Sequence, residues 1–213
     1  MGLDQYLLAK LYVGANYDHN GVSGSVHLTK QPMKFTREEG YVPAPDSEKE
    51  DIVHLNGDGL KKLSSLEFSA AYWRKANMIH KFFVDTLAEG NDDCSEMFVP
   101  RDVLVDLLAK CKLVMAHIEA AGTEEGMVQN GYTMEKGEDG EYTKTPIMEP
   151  GTVYKADMSF CAKILPTTDG FFFGSTAYDQ WYVMDIQETI EQLEAILNDE
   201  LFNNCDFLYQ ASW

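Results

Sequence analysis

A cysteine, a histidine and two aspartates are close enough in the sequence to form a catalytic group. Cys94 directly follows Asp92 and Asp93, and His80 lies upstream of them. A cysteine nucleophile needs a base that removes its proton and an acid that orients this base. The adjacent carboxylates argue against such a role, because negative charge disfavours a neighbouring thiolate. A Cys94/His80 enzyme is therefore one hypothesis, and capping and packing are its alternative.

A second set of residues has the composition of a ligand pocket. Its first members supply an indole, a guanidinium, an amide and an imidazole at helical spacing. Its other members surround a predicted glycine-to-helix join, where free backbone N–H groups attract anions. A planar anion such as a nucleotide suits this combination, although aromatic stripes are more often part of a core. The predicted ligand site consists of Trp73, Arg74, Asn77, His80, Ser175, Thr176, Tyr178 and Trp181.

No motif for a metal, a phosphate or a cofactor accompanies these residues. The five histidines form no H-x-x-x-H pair, and the four cysteines form no C-x-x-C pair. An EF-hand spacing, a P-loop, a dinucleotide-binding G-x-G-x-x-G and a G-x-S-x-G elbow are all absent. The sequence therefore predicts no metal, no cofactor and no assigned catalytic residue, with thiols that stay reduced.

The strongest overall signal is negative charge. Thirty-five acidic residues against 17 basic residues give a net charge of −18. Such a surface repels nucleic acids and anionic membranes and attracts basic protein surfaces, including those that hold DNA or RNA. Solubility alone is the alternative reason for the charge. The predicted partner-binding acids are Asp92, Asp93, Glu124, Glu125, Glu138, Asp139 and Glu141.

The start of the chain and its hydropathy favour a cytoplasmic protein. Asp4 interrupts a short apolar start that has no basic flank, which is unlike a secretory signal. Gly2 fits a myristoylation site, but Tyr6 stands where Ser or Thr is required. Since no apolar run approaches membrane-spanning length, we expect no membrane association.

Periodicity predicts the elements that would position these residues. Alternation of apolar and polar residues favours strands, and apolar residues at intervals of three and four favour helices. The predicted elements are strands over 3–13, 26–35, 97–99 and 206–213, and helices over 67–88, 101–120 and 177–197.

The stretch 165–197 joins the second half of the predicted ligand site to the last helix. The three phenylalanines 171–173 favour a short strand that is buried on both faces. Thr176 and Asp179 have the spacing of a capping box at a helix start, and Ser175 is an equally good cap.

Residues 123–157 differ in composition from the rest of the chain. Glycine, threonine and acidic residues dominate, and the turn signal at 138–141 favours a β-hairpin inserted between helices. The predicted fold is a single α+β domain over 1–213. It has a mostly antiparallel sheet with about three helices packed on one face, and the hairpin as an insertion.

Several segments of the chain are long and have an unusual composition. They are AYWRKAN at 71–77 with Ile79-His80, the triplet Asp92-Asp93-Cys94, LPT at 165–167, GFFFGST at 170–176 with Tyr178-Asp179, and both chain ends at 1–4 and 207–213. These segments resemble a family of uncharacterised proteins from tailed phages and prophages. The resemblance implies a phage or prophage origin and action in the cytoplasm of an infected bacterium. The family has no established activity, so the resemblance implies no functional residue.

Three functional hypotheses follow. The first is a phage-encoded accessory protein that binds a host protein with a basic surface and performs no catalysis. It would be an anti-defence inhibitor, anti-CRISPR-like or other, whose acidic surface imitates nucleic acid without binding it. The second is a protein that binds or sequesters a small ligand, such as a nucleotide or a signalling molecule. The third is the Cys94/His80 enzyme. The sequence predicts no oligomeric state.

Overall fold

The chain forms two compact units. The computed structural model describes residues 2–17, 19, 21–136, 141–170 and 172–213. Unit 1 comprises Met1–Ala9 and Phe68–Trp213, and unit 2 comprises Lys10–Glu67. One domain over 1–213 stays a prediction, because a compact unit is not by itself a domain that folds alone.

The secondary structure confirms the predicted α+β class. The strands are β1 (Asp4–Tyr12), β2 (Ser25–Lys30), β3 (Met33–Thr36), β4 (Gly40–Pro43), β5 (Glu50–Asn56), β6 (Ser65–Arg74), β7 (Met97–Val99), β8 (Thr123–Lys136), β9 (Tyr142–Tyr154) and β10 (Cys205–Ser212). The α-helices are α1 (Asn77–Leu87), α2 (Arg101–Ala121), α3 (Met158–Ile164) and α4 (Gln180–Asn198). Short 3-10 turns cover Asp46–Glu48, Gly57–Lys62 and Glu200–Asn204.

A four-stranded sheet in the order β6-β1-β10-β7 carries the core of unit 1. Strand β10 runs antiparallel to β7, with Leu208 opposite Phe98. Alternate residues of β1 and β10 are buried, among them Leu7 and Tyr209, and they belong to one cluster with apolar residues of the helices. Residues of the opposite parity, such as Tyr6, are exposed. The helices therefore cover one face of this sheet, as predicted.

Helices α2 and α4 supply much of the apolar cover. Leu104, Leu107 and Ile118 on α2 pack in the same cluster as Ile186 and Leu193 on α4. Each such side chain stabilises the fold by roughly 1.5–3 kcal/mol when fully buried. No helix among the described residues combines the length and the apolar character needed to cross a membrane.

The predicted insertion is confirmed as a β-hairpin. Strand β8 pairs antiparallel with β9 from Thr123 opposite Tyr154 to Lys136 opposite Tyr142. The register shifts between Gln129 and Tyr132, so that the ladder has a bulge there. The predicted turn residues at 138–140 lie outside the described residues.

The predicted helix over 67–88 is wrong in its first half. Ser65–Arg74 is a strand, and the helix begins only at Asn77. Ala71 and Trp73 point into the core, while Tyr72 and Arg74 point outward. This alternation fits a strand. The helix was predicted from Phe68, Tyr72 and Ala76, which recur at intervals of four, and pairing in the sheet overrides that pattern.

The predicted aromatic strand over 171–173 is also wrong where it is described. Phe172 has a left-handed φ of 69°, which a strand does not allow. Phe173 is buried in the core cluster beyond this turn. Phe171 lies outside the described residues. Phe172 and Phe173 therefore belong to a turn, beyond which the Phe173 ring enters the core.

The described part of unit 2 contains two small antiparallel ladders. Strand β2 pairs with β5, where His27 lies opposite His54, and β3 pairs with β4, where Phe35 lies opposite Tyr41. The strand predicted over 26–35 is thus two strands. The sequence of unit 2 contains seven Lys and Arg residues against nine Asp and Glu residues, so unit 2 carries −2 of the net charge and unit 1 the remaining −16.

Candidate functional site

A cleft of about 430 Å³ opens on unit 1. It is bounded by the end of β6, the start of α1, the loop before α4, the first turns of α4 and the bulge of β8. The lining residues are Arg74, Lys75, Asn77, Met78, Gln129, Asn130, Gly131, Gly174, Ser175, Ala177, Asp179, Trp181, Tyr182 and Asp185. A cavity of this size, with a few polar groups, is typical of a small-molecule site.

Two residues at the floor of the cleft have left-handed backbones. Lys75 has a φ of 62° and Gly174 has a φ of 93°. They lie against each other, since a Cβ added to Gly174 would be 3.3 Å from the Cβ of Lys75. A lysine in this conformation costs free energy that the surrounding structure must offset, and such residues concentrate at functional sites.

Asn77 holds the loop that forms one wall. Its Nδ2 donates hydrogen bonds to the carbonyl oxygens of Ser175 (2.8 Å) and Phe173 (3.3 Å). Its Oδ1 accepts a hydrogen bond from the backbone N–H of Thr168 (3.3 Å). The side chain is buried and satisfied at both ends of its amide. Asn77 therefore shapes the cleft through the loop as well as lining it.

The start of α4 is capped by a carboxylate, which corrects the predicted cap at Thr176 or Ser175. Asp179 Oδ1 accepts hydrogen bonds from the N–H groups of Trp181 (2.9 Å) and Tyr182 (3.3 Å). The helix N-terminus thus already holds a negative group of the chain itself. Two backbone N–H groups predicted to bind an anion are therefore already bonded to Asp179, whose negative charge would repel an anionic ligand.

The α4 side of the cleft is acidic and aromatic. Trp181 and Asp185 are four residues apart and share one face of the helix. The Trp181 side chain is 47% exposed. Burial, and then the nearby carboxylates of Glu188 and Asp179, raise the pKa of Asp185 from an ordinary 3.8 to about 7. A partly buried carboxyl group near other carboxylates can bind a cation or a proton.

A buried polar chain lies in the core cluster beside the first turns of α1. Gln5 Nε2 donates to the carbonyl oxygen of Ala76 (3.1 Å), so its Oε1 accepts from the Tyr209 hydroxyl (2.9 Å). Burial, and then Asp92, raise the pKa of Tyr209, which keeps its proton for this bond. The Tyr209 oxygen must then accept from His80 Nδ1 (2.8 Å).

This order of donors determines where the other proton of His80 lies. Because Nδ1 donates to Tyr209, Nε2 faces the Asp92 carboxylate at 3.0 Å and can bond it only through a shared proton. One proton therefore joins His80 Nε2 and Asp92 Oδ2. The ring also packs against Phe173 and Trp213, with centroids 5.2 and 5.3 Å away.

The structure brings together only half of the predicted ligand site. Arg74, Asn77, Ser175 and Trp181 line the cleft. The others have structural partners: the indole N–H of Trp73 donates to Thr189 (2.9 Å), and His80 belongs to the buried chain. Thr167 bonds the other two. Its hydroxyl donates to the carbonyl oxygen of Thr176, and its backbone N–H donates to the hydroxyl of Tyr178.

The predicted partner-binding acids are scattered over several elements. Asp92 pairs with His80, Asp93 accepts hydrogen bonds from Ser95, and Glu124 pairs with Lys155 at 3.2 Å. The remaining described members, Glu125 and Glu141, are exposed. Glu138 and Asp139 lie outside the described residues.

The proposed pairing of Cys94 with His80 has no support in the geometry. Both ring nitrogens of His80 are bonded to other side chains. Cys94 is exposed, and its carbonyl oxygen accepts from Gln210. Burial raises the pKa of Cys111 to about 12 and also raises that of Cys161, so neither forms a thiolate readily.

Within the described ranges, no group of three or more His, Cys, Asp or Glu side chains is arranged to hold a metal ion. Comparison with protein-family models, with curated proteins and with solved structures finds no match to this chain.

Sequence reasoning missed the residues that give the cleft its polarity. They are Lys75, Gln129, Asn130, Asp179 and Asp185. The spacing between Trp181 and Asp185 was a usable signal, since residues four apart on a helix lie together. Nothing in the sequence indicated that the hairpin lines the cleft, because this depends on the position of the β8 bulge.

Proposed function

We propose that this chain binds a small molecule in the cleft and performs no catalysis there. The observation that carries the proposal is the lining, which combines two cationic side chains, two carboxylates, an exposed indole and several amides around about 430 Å³. Small-molecule sites have this size and this mixture of apolar wall and convergent polar groups. The left-handed Lys75 at the floor supports the proposal further.

A ligand screen that follows the indole of Trp181 tests this proposal. We expect at least one compound of a metabolite library to shift the Trp181 indole N–H signal in NMR spectra. Trp181→Ala should weaken its binding at least tenfold, since an aromatic wall contributes about 1.4 kcal/mol or more.

The matched control is Met184→Ala, which removes another exposed side chain of α4 that does not line the cleft. This variant should bind as the wild type does. Compounds that bind equally well to Trp181→Ala, or a library in which nothing shifts the Trp181 signal, would contradict the proposal.

A second candidate function is the acidic, nucleic-acid-imitating inhibitor of a basic host protein. The observation that favours it is the concentration of charge, since unit 1 carries −16 of the total of −18. Helix α4 contains no Lys or Arg, and its Glu188 and Glu191 are exposed. The resemblance to phage proteins is consistent with a role in an infected bacterium, where such inhibitors act.

Charge reversal in each unit tests this second candidate. A host protein retained from bacterial lysate should be released by rising salt and by the double variant Glu188→Lys, Glu191→Lys. The same change of charge at the exposed Glu38 and Glu39 of unit 2 should leave it bound. Equal release by both double variants, or a partner insensitive to salt, would contradict an α4-centred acidic interface.

A further inference from the structure

The acidic side of the cleft has no balancing cation in the described parts of the chain. Asp179 and Asp185 line it, and Glu188 is close enough to raise the pKa of Asp185. None of these three carboxylates takes part in an ion pair with a described residue. Three neighbouring acids in this state repel one another, and a positive group placed between them would remove this repulsion.

The two cationic residues of the cleft have other neighbours. Arg74 Nε lies 4.0 Å from Asp4 Oδ1, on the outward face of β6. The stem of Lys75 lies against Gly174, and its Cε is close to Gly2. The groups that shift the pKa of Asp185 are burial, Glu188 and Asp179, and no cation counteracts them. The cleft is therefore polarised, with its negative side on α4.

Next to these acids, the cleft offers the other groups that recognise an organic cation. The half-exposed Trp181 ring is one helical turn from Asp185, and an indole face attracts cations. Asn130 Nδ2 donates to Glu149 (2.7 Å), which leaves its carbonyl oxygen as a hydrogen-bond acceptor at the β8 bulge. Carboxylates, an indole face and an amide oxygen all prefer a positively charged donor.

We propose that the ligand of the cleft is an organic cation with a guanidinium or protonated amine, held between Asp185 and Asp179 and against the Trp181 ring. The inference rests on the proposed function, since it names the ligand class of that site. The proposed ligand is a cation, whereas the sequence predicted an anion. The difference arises because Asp179 occupies the helix start that favoured an anion.

The proposal requires a particular dependence on pH. Asp185 must be ionised to hold the cation, and its pKa is raised to about 7 by burial, Glu188 and Asp179. The other charged groups around the cleft are Arg74 and Lys75 at the end of β6, and Glu149 bonded to Asn130. The affinity for a cation should therefore be constant above pH 7 and fall by up to tenfold per pH unit below it.

Calorimetric titration with three probes tests the ligand class. Agmatine carries a guanidinium and an amine, adenosine is planar and neutral, and adenosine monophosphate is planar and anionic. We expect agmatine to bind most tightly and to shift the Trp181 indole signal. Asp185→Asn should weaken agmatine binding at least tenfold and remove its pH dependence. Glu191→Gln, which removes an equal charge from α4 outside the cleft, should change the affinity less than twofold.

The outcomes separate the ligand class from the existence of the site. If adenosine or its monophosphate shifts the Trp181 signal and agmatine does not, the cationic ligand is ruled out and the ligand site stands. If agmatine binds equally well to Asp185→Asn and Glu191→Gln, the assignment of Asp185 is also ruled out. A thermal unfolding transition in both variants verifies that they are folded. If no compound of the metabolite library shifts the Trp181 indole signal, the ligand site itself is ruled out.

Discussion

Replacing His80 with leucine is expected to lower the free energy of unfolding by about 2–4 kcal/mol, because a buried hydroxyl oxygen and a partly buried carboxylate lose their hydrogen-bond partner. Leucine fills most of the ring's volume beside Phe173 and Trp213, so lost packing is a minor part of the effect. The larger part comes from Tyr209, which loses its donor, and from Asp92, which loses its hydrogen-bond partner. Denaturant unfolding at pH 7 with an unchanged m-value measures it.

Asp92→Asn is the matched control for His80→Leu. An amide N–H can donate to a neutral Nε2, so the chain from Gln5 through Tyr209 and His80 stays complete without a charge. We expect a cost of about 1 kcal/mol, the value of an ordinary hydrogen bond. Nitrogen-15 NMR should find a proton on Nδ1 of His80 in the wild type and in the variant. An unprotonated Nδ1 in the wild type would contradict this order of donors.

Asn77→Ala is expected to cost about 2–4 kcal/mol and to abolish ligand binding in the cleft. The substitution leaves the carbonyl oxygens of Phe173 and Ser175 and the N–H of Thr168 without their partner. Each unsatisfied buried group costs about 1–3 kcal/mol, and partial access to water reduces the sum. The loop that these bonds hold forms a wall of the cleft, so the binding geometry is lost as well. Denaturant unfolding and titration with agmatine measure the two effects.

Asn130→Ala serves as the comparison for Asn77→Ala. This residue also lines the cleft through an amide, but it is exposed on the hairpin, and among the described residues its side chain bonds Glu149. Its stability cost should stay below about 0.5 kcal/mol, as for most surface substitutions. Similar costs for the two variants would show that Asn77 does not organise the loop.

Long periodic segments were predictable from the sequence because their signal is local. The helix predicted over 101–120 is α2, and the one predicted over 177–197 is α4 with a later start. The first and last strands and the hairpin were predictable for the same reason. Alternation, helical spacing and turn chemistry are read from neighbouring residues without knowledge of the fold.

The error at residues 67–76 has a physical cause that recurs throughout the candidate site. Phe68, Tyr72 and Ala76 are four apart, as on a helix, whereas Ala71 and Trp73 alternate, as in a strand. Only the adjacent strand β1 decides between the two. Once this segment is a strand, Trp73 points to the core and Arg74 to the cleft, so residues that seemed to share a helical face separate. Trp73 is the predicted ligand residue that this choice moves into the core.

By itself, the sequence determined the α+β class, the excess of acidic over basic residues, the main helices and the presence of polar and aromatic residues suited to a ligand. The tertiary structure alone decided that Asp185 faces a cleft, that Asp179 occupies the helix start and that His80 is bonded to Tyr209 and Asp92. The reason is distance along the chain: propensity and periodicity act between near neighbours, whereas the sign of a site depends on charges that folding brings together.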